Sequence, residues 1–249
     1  MSLANVVPAA PPIYVGAANV IAAVMLLIEF GMLRQALARD QVRLYAVQSA
    51  LISVLAIVIA ADRNLPDLYA LAGLSAALKV VAVPLVLRRL LGPAVGRAVD
   101  EEEALGVAGS QTLSPASAVL AGIVLAAFGF FTFGELRGVV PTGQHSGSLG
   151  IRGPAAPATA LAIAGAMMLV AFGLMIVRRD VASQAIGFFS LENAISLAAL
   201  VVAAGLPLIL ETAFLFDLLV AVVVFGMLIR GQHARSESLS TADLTRLRG

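Results

Sequence analysis

Long apolar runs separated by short polar segments dominate the chain. A helix that crosses a bilayer needs about 20 mostly apolar residues. Seven runs meet that need: 14–33, 44–61, 67–87, 116–136, 157–177, 184–205 and 207–230. The second is short, bounded by Arg43 on one side and Asp62-Arg63 on the other. The fourth ends in a less apolar stretch that holds Glu135 and Arg137. Between the last two stands only Gly205-Leu206-Pro207, a tight turn that makes them antiparallel neighbours. The ten-residue alternation of barrel strands is missing. The pattern therefore predicts an all-α, polytopic integral membrane protein of about seven transmembrane helices.

Composition sharpens this reading. Of the 249 residues, 60% are hydrophobic and 12% charged, and mean hydropathy is +0.99. A soluble domain carries about 25% charged residues, so this chain has too few charges to cover a water-facing surface. The net charge of +1 offers no basic excess to hold nucleic acid. The chain has no Cys, which removes disulfides, iron–sulfur clusters and thiolate metal sites. Its two His, His145 and His233, lie outside the apolar runs, so no haem or multi-His metal centre is expected in the membrane.

Charge also sets orientation. Residues 1–13 carry no Lys or Arg, so the first run lacks the positive flank of a cleaved signal. Placing the N-terminus outside puts Arg34, Arg39, Arg43, Arg88, Arg89, Arg97, Arg178 and Arg179 in inner loops. Arg230, Arg235, Arg246 and Arg248 then fall in a cytoplasmic tail, which makes 12 of the 16 basic residues. Arg63, Arg137 and Arg152 are outside, and Lys79 is inside a run. This asymmetry fits a multi-pass protein of the cell membrane with an odd number of spans. The expected organisation is an N-terminal four-helix membrane part (1–137), an outer loop rich in Gly, Pro and Ser (138–156), a three-helix membrane part (157–230) and a cytoplasmic tail (231–249). The acidic run Asp100-Glu101-Glu102-Glu103 belongs to a solvated inner loop, 88–115.

The candidate chemistry lies in ionisable residues inside the runs. A charge at the bilayer centre costs about 2.5–3.5 kcal/mol even on the lenient insertion scale. Lys79, Glu192 and Asp217 each stand near the middle of a different span. With a rise of about 1.5 Å per residue, each lies within about 5 Å of its span's centre. Glu29 sits in the inner half of the first span, while Glu135 and Glu211 lie nearer the outer ends. Lys79 is the only lysine in the chain, and every other basic residue is arginine. Lysine is suited to proton transfer because it can give up its charge, whereas arginine keeps its own. These features point to Lys79, Glu192 and Asp217, with Glu29, as a proton relay. The alternative is structural: Asn193, Gln48 and Ser49 bond the acids to neighbouring helices, and Lys79 neutralises one of them. Pro84, just after Lys79, marks a kink or break in the third span. Walker, G-x-S-x-G, H-E-x-x-H and G-x-G-x-x-G motifs are all missing, so energy must come from a partner or an ion gradient.

Several stretches resemble a known family. Arg178-Arg179-Asp180, Ile186-Gly187 and Leu191-Glu192-Asn193-Ala194 resemble the membrane subunit hydrogenase-four component E. So do Ala77-Leu78-Lys79-Val80-Val81-Ala82-Val83-Pro84-Leu85, Tyr45-Ala46-Val47-Gln48-Ser49 and the final Ala242-Asp243-Leu244-Thr245-Arg246-Leu247-Arg248-Gly249. The last three spans are similar, more distantly, to the K subunit of complex I and the C subunit of multisubunit cation/proton antiporters. The K subunit has two intramembrane Glu residues; the second corresponds to Asp217, and the first to Phe189, three residues before Glu192. The family carries its Glu at the Glu192 position within Glu-Asn-Gly, where this chain has Ala194.

The resemblance implies a membrane-arm subunit of a complex I-related, group 4 [NiFe]-hydrogenase-type or formate-hydrogenlyase-type assembly. Such a subunit is non-catalytic. It holds no cofactor, and the nickel-iron centre and iron–sulfur clusters belong to partner subunits. Its partners are the other chains of the complex, especially antiporter-like subunits, together with membrane lipid. Two rival readings remain at this point: a purely structural scaffold of that complex, and a stand-alone secondary transporter, which would want paired helix interruptions in corresponding halves.

Overall fold

A computed structural model of the chain describes residues 12–35, 37–64, 66–89, 114–135, 158–178, 181–203, 217 and 219–228. Among these, nearly every residue is helical. Six helices are long and apolar enough to cross a bilayer: α1 (Pro12–Arg34), α2 (Ala38–Arg63), α3 (Pro66–Arg89), α4 (Pro115–Glu135), α5 (Ala158–Val177) and α6 (Val181–Ala203). A shorter apolar helix, α7 (Leu219–Leu228), lies within the seventh expected span. The remainder of that span, apart from Asp217, lies outside the described residues, as do loops 91–113 and 138–156 and the tail 231–249.

The helices follow the apolar runs, with two informative differences. The second helix starts six residues before the expected run, at Ala38. Its first turns are amphipathic rather than apolar: Arg43 and Asp40 form an exposed i, i+3 pair at 3.0 Å, while Val42 and Tyr45 are buried. The third span is not broken at Pro84. It widens instead into a π-helical segment, Ala76–Ala82, and continues to Arg89. Proline has no N–H, so Pro84 cannot donate to the carbonyl four residues back. The preceding turn takes the wider spacing, and the Val83 N–H bonds the Leu78 carbonyl.

Helices α2 and α3 are joined by a very tight turn. Asn64 takes a left-handed conformation (φ 52°, ψ 49°) and its N–H bonds the Ala60 carbonyl. Asparagine tolerates that region, and Pro66 starts the next helix at the position where its missing N–H costs nothing.

The core has two apolar clusters, and each unites helices from both sides of the 138–156 stretch. Helix α5 contacts α4, α6 and α1, and α2 contacts α1, α3 and α6. Helix α5 is the most deeply buried of the six. Its alanines and glycines let backbones approach closely, the usual basis of helix association in lipid. The tightest backbone approach among the described glycines is at Gly129 of α4, where an added Cβ would lie 2.6 Å from the Gly165 carbonyl oxygen of α5. Phe133 of α4 covers Gly165 itself. Outward faces carry large apolar side chains such as Leu27, Ile57, Val124, Phe131 and Ile176, which suits contact with lipid.

This packing has a testable consequence. Gly129→Val and Gly165→Val should each lower the stability of the purified protein in detergent by about 1–3 kcal/mol, the usual cost of overpacking. Gly16→Ala, with open space around it, should leave the melting temperature unchanged.

Candidate functional site

The bilayer-facing composition makes buried charge conspicuous, and three cases stand out: Lys79, Glu29 and Arg178 are each at most 2% exposed. Glu192, on α6, is also buried. Two of the sequence candidates meet directly. Lys79 Nζ, on the π segment of α3, lies 2.6 Å from Glu192 Oε1. The same ammonium donates to Ser196 Oγ at 3.0 Å, one helical turn along α6. Taking two opposite charges from water is costly, and their attraction offsets that cost only when they touch with good geometry. The pair is placed by α3's widened turn and by the i, i+4 spacing of Glu192 and Ser196, which stacks them on one face of α6.

Glu29 heads a second cluster, on α1. Its Oε2 accepts from Gln48 Nε2 of α2 at 2.6 Å and from the Ser190 hydroxyl of α6 in a very short contact. Ser190 Oγ also lies 2.9 Å from Gln48 Oε1. Asn193 Nδ2 donates to Gln48 Oε1 at 3.1 Å and to Ser49 Oγ at 2.9 Å. Asn193 follows Glu192 directly, so the two clusters adjoin along α6. Together they form a polar seam through α1, α2, α3 and α6, enclosed by apolar side chains of the core. Three oxygens on this seam are buried with no hydrogen-bond donor: Glu29 Oε1, Glu192 Oε2 and Asn193 Oδ1. Buried acceptors of that kind are the places where water or a proton is most strongly held.

Asp217 is not brought into the seam. It is exposed beside α7. Helix α7 packs on α6 through Phe225, whose ring lies 5.7 Å from that of Phe188 and 5.9 Å from that of Phe189. Phe189 is a buried ring tilted against that of Tyr45, with centroids 5.8 Å apart. Glu135 is exposed at the end of α4, while Glu211, His145 and His233 lie outside the described residues. Among the described residues, no three His, Asp or Glu side chains group to hold a metal ion.

Sequence reasoning missed three members of this arrangement. Ser190 and Ser196 flank Glu192, and their register with Asn193 was the available signal. Arg178 was counted as a loop charge but is buried, and its Nη2 donates to the Leu33 carbonyl at 3.2 Å and to the Gln35 carbonyl in a shorter bond. Gln41 Nε2 adds bonds to the Met32 and Gln35 carbonyls at 3.2 and 2.9 Å. Both side chains thereby satisfy the orphan carbonyls at the end of α1. The signal for Arg178 was the brevity of Arg178-Arg179-Asp180: spans five and six are too close for their link to stand clear of the helix ends.

No family model matches the chain. Nor does any solved structure. The chain is similar to the uncharacterized protein Rv0085 of Mycobacterium tuberculosis, with 39% identity over 95 residues. The match spans 38% of this chain and 42% of that protein's length.

The ion pair makes a clear demand. Lys79→Met alone leaves Glu192 buried without its counter-charge and should destabilise the fold by about 3–5 kcal/mol, whereas Lys79→Met with Glu192→Gln should recover most of the loss. Thermal unfolding of the three proteins in the same detergent measures this.

Proposed function

We propose that the chain is a seven-span membrane-arm subunit of a complex I-related, group 4 [NiFe]-hydrogenase-type complex, and that it carries protons along its buried polar seam. The observation that carries this reading is the contact of Lys79 with Glu192 alongside the Glu29–Gln48–Ser190–Asn193 cluster. The Lys79–Glu192 contact and the hydrogen-bonded set headed by Glu29 lie side by side on α6, and water between them would complete a path for protons. From the Lys79–Glu192 contact the path runs past Asn193 and Gln48, whose amides orient water, toward the Glu29 carboxylate. Asp217 stands at the open edge of the same face, where an antiporter-like subunit would adjoin. The family resemblance of the segments around Lys79, Glu192 and Gln48 supports the choice of complex. In this reading the N-terminus faces outward, the tail faces the cytoplasm, and redox cofactors belong to partner chains.

A scaffold role is the second reading. It draws on the same hydrogen bonds, which tie α1, α2, α3 and α6 together irrespective of proton transfer. The two readings separate in the intact complex in sealed vesicles. Glu192→Gln and Glu29→Gln should abolish proton movement while leaving subunit content and electron transfer in place. If protons moved per electron pair stay unchanged in both variants and only the yield of complex falls, the scaffold reading holds.

A further inference from the structure

A cavity of about 40 Å³ adjoins Lys79, with Lys79, Ser75 and Ser196 lining its polar end. Its remaining walls are apolar, including Ile52 and Ala56 of α2, Ala72 of α3, and Ala199 and Leu200 of α6. All of them lie on one side of the ion pair. On α2 and α6 they follow Gln48 and Glu192, and on α3 they precede Lys79. The cavity therefore runs from Lys79 toward the Asn64 turn between α2 and α3. The Glu29 cluster lies on the other side, toward the end of α1 that Arg178 caps.

The polar end is built to take water. A water needs a space of roughly 10–15 Å³ and polar partners, so this volume suits about two or three molecules. Lys79 has three N–H donors. One meets Glu192 and one meets Ser196, which leaves a third in a side chain that is 2% exposed. Glu192 is not in the cavity lining, so Lys79 stands between the cavity and the carboxylate. The apolar walls lie between Lys79 and the Asn64 turn, and a narrow apolar passage of this kind can wet and dry reversibly.

We propose that this cavity is a one-sided water port, through which Lys79 takes up protons from the aqueous phase beside the α2–α3 turn. When Lys79 passes a proton to Glu192, one N–H bond breaks and one O–H bond forms, and the pair becomes a neutral amine and a neutral acid. The amine then takes a proton from a hydrated proton in the port, leaving water behind. In the orientation proposed above, the port opens to the outer face. The port deepens the proton-transfer reading and rests on it for its purpose, but water access can be measured separately.

The natural chain has no Cys, so single cysteines report cleanly. The test uses Ala72→Cys and Ala199→Cys in the full chain, reconstituted in sealed lipid vesicles. Silver ion, which is about the size of water, is added from one side, and unreacted thiol is then counted with a maleimide after denaturation. Asp62→Cys, exposed near the turn, identifies the side by its reaction with an impermeant maleimide. Ala164→Cys in the dry core and Val124→Cys on the outward apolar face serve as controls. Silver binds the thiolate, which forms only where water reaches, so both lining cysteines should react at least about tenfold faster than the controls. They should do so only with silver on the Asp62 side. Reaction no faster than the controls, or from the opposite side, or equally from both, overturns the port. A failed port with proton movement still lost in Glu192→Gln leaves the relay standing. A confirmed port with proton movement intact in that variant removes the relay and keeps the port.

Discussion

A charge placed among apolar helices must find a counter-charge or hydrogen-bond partners there, because lipid supplies neither. That constraint organises this protein around the contact of Lys79 and Glu192. Lys79 stands on α3 and Glu192 on α6, and neither belongs to a helix that could neutralise it alone. The contact therefore fixes the relation of α3 to α6, and Ser196 tightens it. Around that point the remaining polar groups sort by helix face. Gln48 and Ser49 of α2 meet Ser190 and Asn193 of α6, and Glu29 of α1 closes the set. Apolar packing then encloses the seam, with the small residues of α5 drawing α1, α4 and α6 close.

Much of this was legible in the sequence, because the bilayer imposes simple rules. Length and hydropathy locate six of the spans to within a few residues, the start of α2 excepted. There, alternating buried and exposed positions extend the helix into a region of low mean hydropathy, where Arg43 and Asp40 face outward. The position of Lys79 at mid-span, as the single lysine of the chain, was enough to select it, and mid-depth alone selected Glu192. The same rule selected Asp217, which the structure leaves exposed. Depth along a helix is readable from residue number, but direction around the helix depends on which neighbour packs where.

The π segment shows another limit. Pro84 predicts a disturbance in α3 but not its form. Kinking, breaking and widening all accommodate a missing N–H, and neighbouring helices decide among them. Here the widened turn keeps α3 continuous and carries Lys79 within reach of α6. Arg178 teaches the reverse lesson: a residue that counts as a loop charge by position is, by geometry, a cap on another helix.

That cap distinguishes the two ends of the bundle. A guanidinium holds its charge at any physiological pH, so the grip of Arg178 on the last carbonyls of α1 is insensitive to protonation. The tie between α3 and α6 rests instead on an amine and a carboxylate in contact at mid-depth. One end is thus pinned by a permanent charge, and the middle by a pair of opposite charges. Any tilting of α6 against α1 pivots close to Arg178 and sweeps its widest arc at the far end, near the turn held by Asn64.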